Sequence, residues 1–464
     1  MKNILSKKAM LPILILSIAI LFTSCDSFTA VDLPDSQLTA DAVFEDRLTA
    51  TAAMTDIYTK MRDNGLFTGL FTGLSNQLGL YSDELTSYYN PGSLSFNYGT
   101  NTLQASGTEI AQLWNSSYSQ IYAANAVIEG VDHSVSLPES DRNQLKGEAL
   151  FVRALIHFYL VNSFGGVPYI SSTNYSANRI APRIGENEGL LLVKSDLEQA
   201  IVLLPESYIS TERARPNRYA AYAMLARVNL YLHLWDQACH AASAVLNQTA
   251  IYVWESDLDK VFLKESTTTI WQLLPAMEGD NTKEAATFVF FSGPPPSSSL
   301  SPTILTAFEA NDQRKVHWTK MITTGVTSWS HAYKYKEFSN TGSSVEYSIV
   351  LRLAEQYLIR AEARAHQGDL IGAKEDLNKI RNTAGLGNTA ATTHAEIITA
   401  VLEERQTELF CEFGHRFFDL KRNDLLDTAL FPVKLGWNTT DRLLPLPQNE
   451  LLLNPNLAPQ NDGY

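Results

Sequence analysis

Cysteine is scarce in this chain of 464 residues, which contains only Cys25, Cys239 and Cys411. Three thiols cannot build a disulfide framework, and no Cys-x-x-Cys pair indicates a structural zinc site. Cys239 lies in an alanine-rich stretch and Cys411 follows a Leu-Phe pair, so both are predicted to be small, buried and unreactive. A disulfide between these two stays open, because the sequence does not show whether they are close together.

A surplus of positive charge is also absent. The chain has 36 Lys and Arg against 50 Asp and Glu, a formal net charge of −14, and no basic block or stripe. Proteins that bind nucleic acids neutralise phosphates with clustered Lys and Arg. We therefore expect no nucleic-acid partner, and the net negative charge mainly favours solubility.

Long apolar runs are absent beyond the N-terminus, where residues 9–22 are almost wholly apolar. Such a run of about 14 residues spans roughly 21 Å as a helix, against about 30 Å of bilayer hydrocarbon. Three lysines precede it, and Thr23, Ser24 and Cys25 follow it. This order resembles a bacterial lipoprotein signal at residues 1–24 with lipid attached to Cys25. The alternative is an ordinary secretory signal followed by an incidental cysteine.

Motifs for catalysis and metal binding are absent as well. The chain has no His-Glu-x-x-His, no Gly-x-Ser-x-Gly and no phosphate-binding loop, and its nine histidines are scattered. A glycosidase needs two carboxylates about 5–10 Å apart across a cleft. Asp83 and Glu84 are adjacent, but their side chains point apart and no partner is identifiable. The sequence thus indicates no catalytic residue, no metal site and no cofactor.

The residues that are present predict a mostly α-helical protein. Apolar residues recur at helical spacing in several segments, which predicts helices at residues 46–62, 108–130, 139–164, 347–367, 369–384 and 394–413. Residues 65–98 are rich in Gly, Asn, Ser and Tyr, show no helical period and are predicted to form loops.

An internal repeat appears when the chain is shifted by 135 residues. The shift aligns Tyr222, Ala226, Ala238, Ala242 and Val245 with Tyr357, Ala361, Ala373, Leu377 and Ile380. This order of bulky, small, small and apolar residues matches tetratricopeptide-like helix hairpins. The sequence therefore predicts two such hairpins, far apart in the chain, within a helical scaffold.

The exported chain is predicted to be a single domain over residues 25–464. The segment between the two hairpins holds four tryptophans and a proline-rich loop, which favours short strands and irregular loops. The predicted parts are an extended leader (25–45), the helical scaffold (46–248 and 346–425), a loop-rich ligand-binding insertion containing short strands (249–345) and a C-terminal strap (426–464).

Several motifs in the last third of the chain form an ordered set. They are Tyr-Ser-Ile-Val-Leu-Arg-Leu-Ala-Glu at 347–355, Glu-Arg-Gln-Thr-Glu-Leu at 404–409, Arg-Phe-Phe-Asp-Leu-Lys-Arg at 416–422, Leu-Pro-Leu-Pro-Gln-Asn-Glu at 444–450 and Asn-Pro-Asn at 454–456. Together with the N-terminal lipoprotein signal, this set of motifs resembles that of the SusD/RagB family. The resemblance implies a non-enzymatic, lipid-anchored outer-membrane protein, exposed at the cell surface. Such a protein binds a nutrient and delivers it to a partner, a SusC-like TonB-dependent barrel transporter.

The charged residues of these motifs have a structural interpretation. Arg352 and Glu355 lie three residues apart on a predicted helix. Charged side chains are seldom buried without a partner. We therefore predict that the following residues pair between helices rather than form a catalytic site: Arg381, Glu404, Glu408, Arg416 and Asp419.

Aromatic residues in predicted loops are the candidates for ligand binding, because aromatic faces stack on the apolar C–H surfaces of sugars. Trp114 lies in a predicted helix and Trp271 in an apolar run, so both also fit the core. By resemblance, the ligand site lies in the loops and insertions. The predicted ligand-binding residues are Tyr81, Asp83, Tyr88, Trp114, Trp271, Trp318, Trp329 and Tyr333.

These observations lead to two main functional hypotheses. The first is capture of an oligosaccharide or other small nutrient for a barrel transporter. The alternative is a helical-repeat lipoprotein scaffold that binds protein or peptide partners without a sugar ligand. A lipoprotein hydrolase is a third, minor hypothesis. The identity of the nutrient stays open among starch, other glycans, fructans and peptides.

Overall fold

The structure is a computed structural model that describes residues 40–464. The predicted signal peptide, Cys25 and most of the predicted leader lie outside these residues. The described chain is mostly α-helical, as predicted, and none of its helices is long and apolar enough to cross a membrane. The helices are α1 (Ala40–Val43), α2 (Arg47–Asp63), α3 (Leu74–Tyr81), α4 (Phe96–Thr100), α5 (Thr108–His133), α6 (Glu139–Phe164), α7 (Tyr175–Asn178), α8 (Glu186–Leu203), α9 (Arg218–Tyr231), α10 (Trp235–Leu246), α11 (Lys283–Phe288), α12 (Pro302–Ala307), α13 (Gln313–His317), α14 (Leu353–His366), α15 (Leu370–Thr383), α16 (His394–Glu408), α17 (His415–Arg422), α18 (Leu426–Leu430) and α19 (Gln448–Leu453).

Within residues 40–464, short strands form two-stranded antiparallel sheets. The strands are β1 (Leu85–Ser87), β2 (Thr269–Leu273), β3 (Ser298–Leu300), β4 (Thr319–Thr324), β5 (Thr327–Ala332) and β6 (Ser348–Arg352). β1 pairs with β3, β2 with β6, and β4 with β5. Strands β2 to β5 lie in residues 249–345, which confirms the short strands predicted there. This insertion also contains α11, α12 and α13, which the sequence pattern did not indicate.

The predicted repeat is a pair of helix hairpins, α9–α10 and α14–α15, which pack on each other through α10 and α14. The first helix begins at Arg218 in one copy and Leu353 in the other, and the second at Trp235 and Leu370. Both pairs of starts differ by 135 residues, as the alignment predicts. The aligned small residues are fully buried: Ala226, Ala238, Ala361 and Ala373. Their size lets the helices approach closely.

The turns of the two hairpins also correspond. His233 and Gly368 are 135 residues apart, and their φ angles are 56° and 85°. This left-handed backbone region suits glycine and disfavours side chains with a Cβ. One copy therefore has glycine in this left-handed conformation, whereas the other has histidine in the same conformation.

Two predicted segments differ from the structure. Residues 348–352 form strand β6 rather than the start of a helix, because they pair with β2; Arg352 thus precedes the helix that carries Glu355. The predicted loop at residues 65–98 contains helix α3, in which every residue is buried. A helix that is buried all round has no apolar stripe, so its sequence lacks the periodic signal.

Buried ion pairs confirm the structural interpretation of the charged motif residues. Arg352 contacts both Glu408 and Glu412, and all three side chains are at most 9% exposed. Partnered charges avoid the large cost of an isolated buried charge. The other pairs, with their N–O distances, are Arg381–Glu404 (3.2 Å), Arg314–Glu408 (3.0 Å), Arg416–Asp83 (2.7 Å), Arg405–Asp419 (2.7 Å) and Arg227–Glu355 (2.6 Å).

The C-terminal residues cross the surface of the helical scaffold. The backbone N–H of Leu444 donates to the carbonyl of Ser163 at 2.8 Å, and the amide of Asn461 donates to the carbonyl of Phe164 at 2.9 Å. Residues 426–464 contain the short helices α18 and α19, so the segment predicted as a strap is not extended throughout. Its contacts attach it to the C-terminal end of α6.

Both cysteines in the described residues are free thiols. Cys411 is buried, as predicted, and burial holds the pKa of its thiol well above the usual value. Cys239 is half-buried. The disulfide that the sequence left open is therefore not formed.

Candidate functional site

Three of the predicted ligand-binding rings lie in the core. Tyr81 and Trp271 are 0% exposed and Trp318 is 1% exposed. The indole N–H groups of Trp271 and Trp318 each donate to a backbone carbonyl at 3.0 Å. Rings whose faces are covered by protein cannot stack on a ligand, so the structure corrects the prediction for these three residues. Trp114 is 4% exposed and lines a groove.

Asp83 is also a structural residue. Its carboxylate is buried and accepts two hydrogen bonds from Arg416, at 2.9 and 2.7 Å. The neighbouring Glu84 accepts the N–H of Cys411 at 3.1 Å. Burial, together with the negative charge of Asp83, raises the pKa of Glu84 to about 8. Both carboxyl groups have partners within the fold, which corrects the prediction that Asp83 binds ligand.

The other predicted rings, Tyr88, Trp329 and Tyr333, are half-buried. The ammonium groups of Lys320 and Lys336 lie 4.8 and 5.4 Å from the ring centre of Tyr333. These cations occupy space beside the ring and leave less of it for a ligand. Tyr88 and Trp329 have no such neighbours among the described residues. Ligand contact by these three residues stays a prediction.

Exposed rings that the sequence analysis missed lie in the same two predicted loop regions as Tyr88 and Trp329. Phe71 is 41% exposed, Phe291 is 61% and Phe338 is 50%. Phe291 and Phe338 have ring centres 4.8 Å apart, and those of Phe71 and Tyr89 are 6.4 Å apart. Phenylalanine is most often a core residue, so sequence alone gave no reason to place these rings at the surface. Only the density of aromatics in predicted loops pointed to this region.

The strand pairs bring these loops together. The β1–β3 ladder continues in a hydrogen bond from the N–H of Tyr88 to the carbonyl of Ser297, at 2.8 Å. Four residues before Ser297, Gly293 packs on the β4–β5 hairpin, and its N–H donates to Thr324 Oγ1 at 2.9 Å. A Cβ at Gly293 would lie 2.1 Å from the ring of Trp329. Glycine is therefore required for this close approach.

We define the aromatic loop surface by the rings that lie on these connected loops: Phe71, Tyr88, Tyr89, Phe291, Trp329 and Phe338. Beside Phe71 lies a pocket of about 430 Å³ lined largely by polar side chains, among them Asp63, Gln77, Glu109 and Gln112. The buried Oε1 of Gln77 accepts no hydrogen bond from residues 40–464. Exposed rings next to a polar pocket suit a ligand that has both C–H faces and hydroxyl groups.

A metal site requires several ligand side chains close together. No group of three His, Cys, Asp or Glu side chains in residues 40–464 could hold a metal ion. His157 accepts the N–H of Ile170 at 3.2 Å, and burial lowers its pKa to about 3. This histidine is therefore a neutral core residue. The arrangement of the aromatic loop surface favours binding over chemistry.

Comparisons with known proteins agree with this picture. A family described as starch-binding and associating with the outer membrane matches residues 39–230, and the SusD family matches residues 305–464. SusD-like protein P2 of Formosa agariphila is 28% identical over 420 residues, which cover 76% of this chain and 81% of that protein. SusD-like protein P25 of the same organism is 22% identical and covers 95% of this chain and 97% of that protein.

Solved structures share the fold. A SusD superfamily protein from Bacteroides vulgatus has a TM-score of 0.77 and 20% identity, and covers 91% of this chain and 100% of its own. A laminarin-binding SusD-like protein has a TM-score of 0.74 and 22% identity, and covers 90% and 99%. SusD-like proteins are binding proteins associated with the outer membrane. From the two family matches, the relatives and the shared helical fold, we conclude that this chain belongs to the SusD/RagB family.

Proposed function

We propose that this protein binds oligosaccharides at the aromatic loop surface and delivers them to a SusC-like TonB-dependent barrel transporter. The observation that carries the binding site is the set of exposed and half-buried rings on these linked loops, with Phe291 and Phe338 in contact and Trp329 packed against Gly293. Exposed aromatic rings stack on the apolar faces of sugars, and the polar pocket beside Phe71 supplies groups that accept and donate hydrogen bonds.

The class of ligand is supported by the comparisons. One matching family is described as starch-binding, and one structural neighbour binds laminarin. Neither the family description nor this neighbour identifies the glycan that this chain binds, because the rings that would contact the glycan lie in loops outside the helical scaffold. We propose a neutral glycan, since the aromatic loop surface is defined by rings, and of the two lysines that flank the neighbouring Tyr333, Lys336 is paired with Asp259.

Anchoring and delivery complete the proposal. The sequence around Cys25 supports a lipid anchor that would hold the chain at the outer membrane. A chain anchored in this way binds its ligand but needs a membrane-spanning partner to import it. The SusC-like barrel is the partner that family membership supports.

The binding test compares single loop variants of the purified mature protein by affinity electrophoresis and calorimetry, using laminarin, amylopectin, xylan, inulin and arabinogalactan. We expect Trp329→Ala and Phe338→Ala each to weaken binding of one glycan by roughly tenfold, the affinity that one stacking ring supplies. Val202→Ala, an exposed apolar substitution on α8, serves as the matched control and should bind as the parent does. Unchanged binding in both loop variants would show that the aromatic loop surface is not the glycan-binding site.

The partner test is separate. We expect affinity purification of the tagged protein from outer membranes to recover a large barrel protein in stoichiometric amount, and Cys25→Ala to reduce that recovery by releasing the chain from the membrane. Recovery of another protein without a barrel, in a chain that binds no glycan, would favour the helical-repeat scaffold hypothesis instead.

A further inference from the structure

A second concave site lies away from the aromatic loop surface. It is a groove of about 480 Å³ between α5, α7 and α19, which we call the α5 groove. Its volume falls within the range of small-molecule pockets, about 300–1,000 Å³. Tyr122 and Tyr175 stand at this groove and are 53% and 76% exposed. Neither ring packs on another aromatic ring in residues 40–464, so their faces are open to a ligand.

The floor of the α5 groove is rigid and aromatic. Trp114 and Tyr118 have ring centres 4.7 Å apart, and Trp114 packs edge-on against Phe164 at 5.2 Å. The hydroxyl of Tyr118 donates to the carbonyl of Pro168 at 2.9 Å, which fixes the orientation of its ring. A floor held by packing and by a hydrogen bond costs little conformational entropy when a ligand binds.

Polar groups surround this floor in a charge-balanced set. Asn115 is exposed, Arg179 supplies one cation and Glu450 supplies one carboxyl group. No side chain in residues 40–464 forms an ion pair with Arg179 or Glu450. Partial burial raises the pKa of Glu450. Aromatic faces flanked by an amide, one cation and one carboxyl fit a neutral hydroxylated ligand better than an anion or a lipid chain.

Helix α5 separates the α5 groove from the aromatic loop surface. Its residues Leu113 and Ser116 line the polar pocket beside Phe71, whereas Asn115 and Tyr122 line the groove. At 3.6 residues per turn, the mean side-chain directions of these two sets are about 140° apart. The α5 groove and the polar pocket therefore lie on different sides of the helix.

We propose that the α5 groove is a second oligosaccharide-binding site that stacks sugar rings on Tyr122 and Tyr175 and orients their hydroxyls with Asn115, Arg179 and Glu450. Two sites on different sides of one helix let a single polysaccharide engage the protein twice. Such bivalent binding raises the apparent affinity for long chains far above that for short ones. The site goes beyond the proposed function, which assigns ligand only to the aromatic loop surface.

The test uses the purified mature protein and four variants: a groove variant (Tyr122→Ala with Tyr175→Ala), a loop variant (Trp329→Ala with Phe338→Ala), a variant that combines these four substitutions, and the control Val202→Ala. Each is measured against laminarin, amylopectin, xylan, inulin and arabinogalactan by affinity electrophoresis, and against hexasaccharides of the same glycans by calorimetry. Both groove tyrosines are exposed, so the groove variant should keep the parent's melting temperature.

We expect the groove variant to bind at least one polymer roughly tenfold more weakly than the parent, and the variant that combines all four substitutions to lose binding altogether. Binding lost in the groove variant alone would support the α5 groove and remove the loop site. Binding lost in the loop variant alone would overturn the α5 groove and leave the proposed function standing. A parent protein that binds none of the five glycans would overturn both.

Discussion

The helical scaffold and the aromatic loop surface place their side chains in opposite ways. In the scaffold, charged residues are buried with partners, as with Arg227 and Glu355, whose side chains are 1 and 2% exposed. At the loop surface, large apolar rings such as Phe291 are exposed. The scaffold thus buries the residues that usually face water, and the loops expose the residues that usually form the core.

Two tryptophans next to one hairpin show this difference at close range. Trp318 precedes β4, is 1% exposed and hydrogen-bonds to the backbone, whereas Trp329 lies on β5 and is partly exposed. The family motifs lie in the scaffold and the C-terminal strap, whereas the rings of the aromatic loop surface lie in the loops. At that surface, recognition of the ligand therefore depends on residues other than those that identify the family.

The largest effect should come from removing a charge in the scaffold. Arg352→Met removes the guanidinium that pairs with both Glu408 and Glu412, so each buried carboxylate keeps one cation, Arg314 or Lys334. Removing one partner from such buried pairs costs about 3–5 kcal/mol of the free energy of unfolding. Urea denaturation measures this loss. Lys194→Met removes the partner of the exposed Glu198 and should cost less than about 0.5 kcal/mol. A loss below 1 kcal/mol in Arg352→Met would mean that the buried charges of the scaffold contribute no more to stability than exposed ones.

The two tryptophans provide the second test. Trp318→Ala should lower the free energy of unfolding by about 3 kcal/mol, because it opens a cavity in a packed core. Trp329→Ala should lower it by less than about 1 kcal/mol, since its ring is partly in water. Thermal denaturation of both variants checks this order. Equal losses would mean that Trp329 is as much a core residue as Trp318.

Glu84 predicts a pH effect on stability. Its pKa in the folded chain is about 8, above that in the unfolded chain, so between pH 5 and pH 7 the unfolded chain binds fewer protons at this group. The free energy of unfolding contributed by Glu84 therefore falls as pH rises, by about 2 kcal/mol over this window.

Denaturation of Glu84→Gln at pH 5 and pH 7 measures that contribution. The glutamine resembles the protonated acid and does not titrate, so the variant should gain about 2 kcal/mol over the parent between the two pH values. Glu188→Gln, at an exposed position on α8, should change with pH as the parent does. A parallel dependence in parent and Glu84→Gln would show that Glu84 is ionised in the folded protein.

The smallest effect concerns the scaffold turn at Gly368. Gly368→Ala should cost about 1 kcal/mol of the free energy of unfolding, because φ is +85° and a Cβ disfavours that conformation. Gly387→Ala is the matched control: it has equally open surroundings and no positive φ, so it should be nearly neutral. The difference between the two variants isolates backbone strain from lost packing.

The sequence predicted the scaffold well because its signals are local and periodic. Helix α6 lies where the apolar period predicts it, and the offset between hairpins is exact. Helix α3 escaped prediction because burial on all sides removes the period. The ligand candidates fared worse, since composition does not distinguish Trp318 in the core from Trp329 near the surface. That difference depends on which strand pairs and packed helices cover each ring.

The β2–β6 pair has a consequence for how the insertion can differ between relatives. Its strands join Thr269 and Arg352, so residues 274–347 leave the scaffold and return to it at neighbouring points. Once the two ends of a loop are held together, additional residues in the loop cost little conformational free energy. Much of the insertion is therefore open to exchange for one with other rings, provided that the graft keeps Arg314 and Lys334, which pair with Glu408 and Glu412. Grafting between relatives would then transfer glycan preference while leaving the helical frame intact.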